Sequence, residues 1–201
     1  MQIMTNVKML KQKLKTKRII LASKSPRRQE LLKSLQIPFD IITSSVEEIY
    51  PESLKKHEIT DYLSKLKAGA FKNKLKNNDI LITSDTIVWH NNSALGKPKS
   101  TKEAIKMLYQ LSGSKHEVIT SICITSVKKQ TISNSYSSVF FKTLENDEIN
   151  FYVNNFNPLD KAGAYGIQDW IGKIGIEKIE GSYYNIMGLP TDLIYKSLIE
   201  F

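Results

Sequence analysis

The apolar positions of this chain fall into short runs and into spaced stripes, which predict strands and helices that follow one another along the sequence. Apolar runs predict strands at 19–21, 39–45, 80–83, 87–89, 118–127 and 136–142. Stripes at helical spacing predict helices at 26–35, 59–75, 101–111 and 149–156. The two longest apolar runs are separated by a short polar connection, which favours a β-hairpin.

The first predicted helix begins in a way that favours an anion site. Ser25 is a preferred N-cap residue, and Pro26 suits the first helical position. Arg27 and Arg28 each lie four residues before a leucine, so both extend the apolar stripe and are expected to point inward or into a cleft. Paired guanidinium groups at a helix start are suited to phosphate. The alternative is a pair of solvated arginines.

Three carboxylates lie beside predicted strands. Asp85 stands between the apolar runs 80–83 and 87–89, where burial is unfavourable unless the carboxylate meets a metal, a donor or a substrate. We expect Asp85 at the carboxyl end of a strand, with a catalytic or metal role rather than that of a turn residue. Glu47 and Glu48 follow another predicted strand and serve either to bind a metal or balance charge, or simply face solvent.

Three further polar residues are candidates for ligand contacts. Lys97 lies between Gly96 and Pro98, on a loop that is rigid and can approach a phosphate closely. Lys67 borders the apolar stripe of its predicted helix and could reach a cleft. Gln168 lies in the glycine-rich last part of the chain, and its side chain offers a donor and an acceptor to a planar amide edge.

The net charge of +9 is concentrated at one end of the chain. Residues 1–18 contain six basic residues and no acid, so the remaining 183 residues are close to balanced. We expect residues 1–18 to be a dispensable, flexible basic extension and residues 19–201 to be a single catalytic domain; the alternative is an arm that attracts polyanions.

Composition is that of a soluble globular protein, and we predict a cytoplasmic location. No apolar run approaches the roughly 18 residues of a membrane span. The single cysteine, Cys123, excludes an internal disulfide and is expected to be a buried, inert thiol.

Several ordered motifs resemble those of the Maf family of nucleotide pyrophosphatases. They are Leu-Ala-Ser-x-Ser-Pro-Arg-Arg at 21–28, Val-Glu-Glu at 46–48, Asp-Thr at 85–86, Leu-Gly-Lys-Pro at 95–98, Leu-Ser-Gly at 111–113, Asp-Lys-Ala-Gly-Ala-Tyr-Gly-Ile-Gln at 160–168 and Met-Gly-Leu-Pro at 187–190. The glycine-rich motif is similar to that of the branch that hydrolyses dTTP and UTP to the monophosphate and pyrophosphate.

The resemblance implies an α/β fold, in which a mixed twisted sheet with flanking helices forms two lobes around a central cleft. It also implies a divalent metal, Mg²⁺ or Mn²⁺, and a homodimer is a guess from the family; neither a nucleic acid nor a membrane is expected as partner. The resemblance places the general base at Asp85. The other implied positions are Arg27, Thr86 and Gln168 for substrate specificity and Ser23, Arg28, Lys67 and Lys97 for phosphate binding, with Glu47 also lining the site. Our hypothesis for the metal ligands is Asp85 with Glu47 or Glu48.

Two departures from the family pattern bear on this reading. Thr83-Ser84 precedes Asp85 where the family usually has Gly-Ala, and Asp169-Trp170 follows Gln168 where the family usually has Gly. The second affects the shape of the base pocket. Two other functions remain open from the residues alone: a nucleotidyltransferase that uses the same phosphate loop, and a nonenzymatic nucleic-acid-binding protein that uses the basic extension.

Overall fold

Strands and helices follow one another along residues 2–201, which the computed structural model describes, with side chains from residue 8 onwards. The strands are β1 (Arg18–Leu21), β2 (Asp40–Ile41), β3 (Asp79–His90), β4 (Ser93–Leu95), β5 (Lys115–Thr125), β6 (Gln130–Phe141) and β7 (Ile176–Gly181). The α-helices are α1 (Gln2–Leu14), α2 (Pro26–Ser34), α3 (His57–Gly69), α4 (Thr101–Leu111), α5 (Asn146–Phe156), α6 (Trp170–Gly175), α7 (Tyr183–Ile186) and α8 (Thr191–Glu200). Two 3₁₀ turns, Pro158–Asp160 and Ala162–Ala164, lie between α5 and α6.

The strands form one mixed sheet in the order β2-β1-β3-β5-β6-β7, with β4 also paired to β3. β1 runs parallel to β2 and β3, and the other pairs are antiparallel. The long hairpin of β5 and β6 confirms the hairpin that the sequence predicts. The prediction of a mixed α/β sheet with flanking helices is therefore confirmed.

One edge of β3 is left without a strand partner over part of its length. Its other edge pairs with β5 from Leu81 to Trp89, so β1 and β4 must share the remaining edge. The pairing with β1 ends at Ile82, and the pairing with β4 begins at Val88. A gap in the sheet therefore lies beside residues 83–87 of β3.

Two hydrophobic cores on one face of the sheet form the two predicted lobes. The first joins α2 and α8 to β1, through residues such as Leu32 and Leu198. The second joins α4, α5 and α6, through residues such as Leu108 and Ile149. The long strands connect the lobes, because Ile122 and Val118 of β5 belong to the first and the second core, respectively.

Alternation along β3 assigns its side chains to opposite faces of the sheet. Ile82 and Val88 face the two cores just described, whereas Leu81 and Ile87 face the side that α3 covers. By the same alternation, Asp85 lies on the face that α3 covers. Thr86 lies on the opposite face, so these two adjacent residues are on different faces of the sheet.

The structure differs from the sequence prediction at β3. The apolar runs 80–83 and 87–89 are parts of one continuous strand, and Asp85 lies in its middle rather than at a carboxyl end. The strand continues through Asp85 because β5 supplies backbone partners along this whole stretch. Elsewhere, the strand predicted at 39–45 shortens to Asp40–Ile41, and the helix predicted at 59–75 ends at Gly69.

The basic N-terminal segment is helical over Gln2–Leu14, although we expected a flexible extension. Leu10 is buried in the first core, and Lys13 Nζ donates to the carbonyl of Ile199 at 2.6 Å. This segment therefore has an apolar contact with α8, while its independence from the catalytic domain stays a prediction. Within residues 2–201, none of the helices is long and apolar enough to cross a membrane.

Strand β5 buries two groups that could otherwise react or titrate. Cys123 is fully buried and burial raises the pKa of its thiol, which confirms the expectation of a buried thiol. His116 is also buried, and its Nε2 lies 2.8 Å from the hydroxyl of Tyr165. Burial lowers the pKa of His116 to about 3, so its imidazole is neutral in the folded protein.

His116 should make the protein sensitive to acid. In the unfolded chain its pKa returns to about 6.5, so between that pH and about pH 3 the unfolded state binds more protons than the folded state. The free energy of unfolding should therefore decrease as pH falls through this window, by up to about 5 kcal/mol from this residue. Urea unfolding at pH 7, 6, 5 and 4 measures the dependence.

The variant His116→Gln removes the titration but retains a hydrogen-bonding side chain, so its unfolding free energy should vary less with pH than that of the wild type. His57→Gln is the matched control, because His57 is exposed. Equal pH dependence in His116→Gln and in the wild type would contradict this assignment.

Candidate active site

The predicted site residues gather around the gap beside residues 83–87 of β3. Arg28, at the start of α2, donates to the carbonyl of Ser84 there, and Lys97, in the loop after β4, lies close enough to Glu48 to lower its pKa. The loop that contains Gly188 contacts Arg28 at the same place. Because this edge of β3 has no strand partner beside residues 83–87, these segments can approach its main chain.

Asp85, Lys67 and Glu48 form the electrostatic centre of the site. Lys67 Nζ lies 2.5 Å from Asp85 Oδ1 and 3.1 Å from Glu48 Oε1. The side chain of Asp85 is 7% exposed and that of Lys67 17%, so this ammonium group is shared by two carboxylates at the edge of the core. Helix α3 places Lys67 there because the helix covers the face to which Asp85 belongs.

Burial and charge act in opposite directions on the two carboxylates. Burial raises the pKa of Asp85 above its ordinary value, although Lys67 and Arg28 oppose the shift. Burial also opposes ionisation of Glu48, but Lys67, Lys97 and Arg28 together outweigh it and hold the pKa of Glu48 below its ordinary value. The site thus contains one carboxylate that ionises with difficulty and one that ionises readily.

Two carboxylates of this centre fit a divalent metal. Among the residues that the structure describes, no group of three or more His, Cys, Asp and Glu side chains is placed to hold an ion. Glu48 and Asp85 nevertheless converge on one cationic position, the Lys67 ammonium. Such a pair is sufficient for Mg²⁺ when substrate phosphates supply further oxygen ligands. Glu47 is exposed and forms none of the ion pairs found in residues 8–201.

Arg28 connects three parts of the site through its guanidinium group. Nη1 donates to the carbonyl of Ser84 at 2.8 Å, Nε donates to the carbonyl of Gly188 at 2.8 Å, and Nη2 donates to Thr86 Oγ1 at 3.0 Å. Burial lowers the pKa of Arg28. The side chain thus points inward, as its place on the stripe predicts, and fills part of the gap in the sheet.

The other predicted residues lie farther from this centre. Arg27 Nη1 donates to Asp160 Oδ2 at 2.8 Å, and Ser23 Oγ accepts from the backbone N–H of Ser25 at 3.2 Å. Lys97 is exposed but close enough to affect the pKa of Glu48. Gln168 is half-buried.

The glycine-rich segment is fixed against β3 and the loop after β4. Gly163 has φ +67°, and a Cβ there would lie 2.8 Å from Val88 Cγ2, so only glycine allows this approach. Its N–H donates to the carbonyl of Gly96 at 3.0 Å. The segment that leads to Gln168 and the loop that contains Lys97 are thereby joined.

The structure brings five predicted residues into one connected set, which comprises Asp85, Lys67, Glu48, Arg28 and Thr86. Gln168 and Glu47 are not connected to this set by the hydrogen bonds or ion pairs of residues 8–201, whereas Ser23 is linked to Arg28 through Ser25. The sequence analysis did not predict the carbonyls of Ser84 and Gly188, because every residue type offers a backbone acceptor. It also did not predict the ion pair of Arg27 with Asp160 or that of Asp160 with Lys161. The charged pair immediately before the glycine-rich run was the available signal.

The chain matches a family model and close relatives over nearly its whole length. The model of the family described as Maf-like protein matches residues 18–201. A dTTP/UTP pyrophosphatase of Christiangramia forsetii is 56% identical over 192 residues, which are 96% of this chain and 98% of the relative. A dTTP/UTP pyrophosphatase of Flavobacterium johnsoniae is 53% identical over 190 residues, 94% of this chain and 98% of the relative.

A solved structure from Vibrio cholerae overlaps 92% of each chain with a TM-score of 0.45 and 12% identity, a likeness on which no assignment rests. The family match covers residues 18–201, and the identities exceed half of the aligned positions. On these grounds the chain belongs to the Maf-like protein family.

Proposed function

We propose that this protein hydrolyses dTTP and UTP to the nucleoside monophosphate and pyrophosphate, and so removes such nucleotides, and modified pyrimidine nucleotides of the same shape, from the pool. The observation that carries the proposal is the buried Asp85 carboxylate, paired with Lys67 in a gap of the sheet that cationic side chains surround. The relatives named dTTP/UTP pyrophosphatase, at 53–56% identity over nearly the full chain, support the choice of substrate.

Cationic side chains hold the triphosphate in this proposal. Lys67 and Lys97 both lie close enough to Glu48 to lower its pKa, and both ammonium groups can pair with phosphate oxygens. Arg28 donates three of its five N–H groups to the protein, so two are left for an anion. Ser23 contributes a hydroxyl at the start of α2. These groups neutralise the charge that collects on the leaving pyrophosphate.

Asp85 acts as the general base. Its carboxylate accepts a proton from a water molecule as the water oxygen bonds to the α-phosphorus, and the bond from that phosphorus to the α,β-bridging oxygen breaks. Because burial raises the pKa of Asp85, the carboxylate is a stronger base than an exposed aspartate. A divalent metal held by Glu48 and Asp85, with Glu47 nearby, would supply additional positive charge at the phosphates.

Three side chains select the base. Gln168 offers an amide donor and acceptor, which complement the carbonyl and N–H edge that thymine and uracil share and cytosine lacks. Thr86 is held by Arg28 and by Thr120, whose Oγ1 lies 2.9 Å from Thr86 Oγ1. Arg27 reaches toward the glycine-rich segment through Asp160. We place the reaction in the cytoplasm, where free nucleoside triphosphates are found; a homodimer and the lack of a nucleic-acid partner stay predictions.

Asp85→Asn should abolish turnover, because an amide cannot accept the proton of the attacking water. We expect kcat for dTTP to fall by about 10²–10⁴-fold. Product analysis with dTTP, UTP, CTP and the purine triphosphates, in Mg²⁺ or Mn²⁺, measures the rate and shows which phosphate bond breaks. Asp192→Asn, an exposed aspartate on α8, is the matched control and should retain full activity.

Retained turnover in Asp85→Asn would contradict the assignment of the base. Release of orthophosphate from dTTP in place of pyrophosphate would contradict the proposed reaction. Product that forms only when an acceptor molecule is added would instead support the nucleotidyltransferase alternative.

Gln168→Met should change base choice more than phosphate binding, because it removes the amide and keeps the length of the side chain. We expect kcat/KM for dTTP and UTP to fall by about tenfold or more relative to that for CTP. Inhibition by inorganic tripolyphosphate should remain as in the wild type. Gln110→Met, on the exposed surface of α4, is the control, and an unchanged preference across dTTP, UTP and CTP in Gln168→Met would count against this role.

A further inference from the structure

A chain of alternating charges continues from Arg27 away from the phosphate site. Asp160 accepts from Arg27 through Oδ2 at 2.8 Å and from Lys161 Nζ through Oδ1 at 2.7 Å. Lys161 Nζ also lies 3.6 Å from Asp169 Oδ2. The Lys161 side chain is only 13% exposed, so the two carboxylates hold its ammonium group at the surface of the second core. The chain ends one residue after Gln168.

Tyr152 anchors the far end of this chain. Its hydroxyl donates to Asp169 Oδ2 at 2.7 Å and accepts from the N–H of Gly166 at 3.1 Å. Tyr152 lies on α5, is fully buried and stacks on Phe156. Burial, together with its hydrogen bond to Asp169, raises the pKa of Tyr152, so the hydroxyl keeps its proton and remains a donor. The anchor belongs to the rigid core of one lobe.

The carboxylate of Asp169 rests directly on the main chain of Gly166. A Cβ on Gly166 would lie 2.5 Å from Asp169 Oδ2 and 2.7 Å from Asp169 Cγ, so a larger residue would displace the carboxylate. Tyr152 and Asp169 therefore hold the loop at Gly166 and at Asp169, on both sides of Gln168. We call Tyr152, Lys161 and Asp169 the Asp169 clamp.

We propose that the Asp169 clamp is a positioning unit that fixes Gln168 relative to Arg27 and so determines the base selectivity of the enzyme. This inference rests on the proposed function. Gln168 makes no hydrogen bond among those of residues 8–201, so its direction depends on the main chain that the clamp holds. A displacement of the Gln168 side chain by about 1 Å is enough to weaken its hydrogen bond to the substrate base and so to lower the rate. Among the described residues, the clamp residues form no hydrogen bond or ion pair with Asp85, Lys67 or Arg28, so the clamp acts through Gln168.

The residues of the clamp allow clean substitutions. Tyr152→Phe keeps the buried ring and removes the hydroxyl that serves Asp169 and Gly166. Asp169→Ala removes the carboxylate, and although Asp169 precedes α6, its side chain makes no capping hydrogen bond that the change would lose. Tyr109→Phe is the matched control, since the Tyr109 hydroxyl donates to Asn146 on the exposed surface between α4 and α5.

The test compares kcat and KM for dTTP, UTP and CTP in the wild type, the two single variants, the double variant and the control, together with their melting temperatures. We expect the ratio of kcat/KM for dTTP to that for CTP to fall by about tenfold in each single variant, mainly through KM. The ratio in the double variant should fall much less than the product of the two single effects, because each single change already removes the hydrogen bond between Tyr152 and Asp169. Tyr109→Phe should keep the wild-type ratio.

An unchanged ratio in Tyr152→Phe, even with a lower melting temperature, would overturn the inference and leave the clamp a purely structural contact. Falls that multiply in the double variant would also overturn it, because the residues would then act separately. Calorimetric affinities for dTMP and CMP, measured on the same proteins, separate this test from that of the proposed function.

If the wild type prefers dTMP to CMP but hydrolyses no triphosphate, the proposed function fails, and loss of the dTMP preference in Tyr152→Phe and Asp169→Ala would still support the clamp. A wild type that prefers neither nucleotide would overturn the clamp as a determinant of selectivity.

Discussion

The unpaired edge of β3 is the constraint on which the rest of the site depends. Backbone groups in a sheet need hydrogen-bond partners, and between the ends of β1 and β4 no strand supplies them on this edge. Arg28 meets part of this need, because its guanidinium group donates to the carbonyl of Ser84 and, beside it, to that of Gly188. The proposed nucleotide site is thus also the place where a cationic side chain stabilises the main chain. Both features follow from one short interruption of the sheet.

The same interruption explains why a carboxylate in the middle of a strand can be functional. Asp85 is nearly buried, which is unfavourable for its charged form, and Lys67 offsets this with a direct ion pair. Strand β5 fixes the backbone of Asp85 on the other edge, so the carboxylate cannot relax toward solvent without breaking the sheet. The protein therefore holds a basic group in a fixed place, which is what general-base catalysis requires.

Local patterns in the sequence predict much of this structure, and contacts between distant residues explain what they miss. Ser25 does cap α2 by accepting from the N–H of Arg28, and that arginine does point inward. The prediction that Asp85 lies at a strand end is wrong. The strand continues because it pairs with β5, and the sequence around Asp85 does not reveal that pairing. The hydrogen bond of Tyr152 with Asp169 joins residues 17 positions apart. They belong to different elements, so no helical or strand periodicity in the sequence predicts it. The metal ligands and the roles of the site residues stay predictions.

The two lobes differ in how firmly they hold the parts of the site. Arg27 belongs to the lobe of α2, whereas Asp160 belongs to the glycine-rich side that packs on the second core. Their ion pair is exposed, with the Asp160 side chain 58% accessible, and such pairs contribute less than about 1 kcal/mol. The lobes are held together by the continuous strands β3 and β5 rather than by this pair. The buried contacts of Tyr152, rather than this surface pair, therefore hold the main chain on both sides of Gln168.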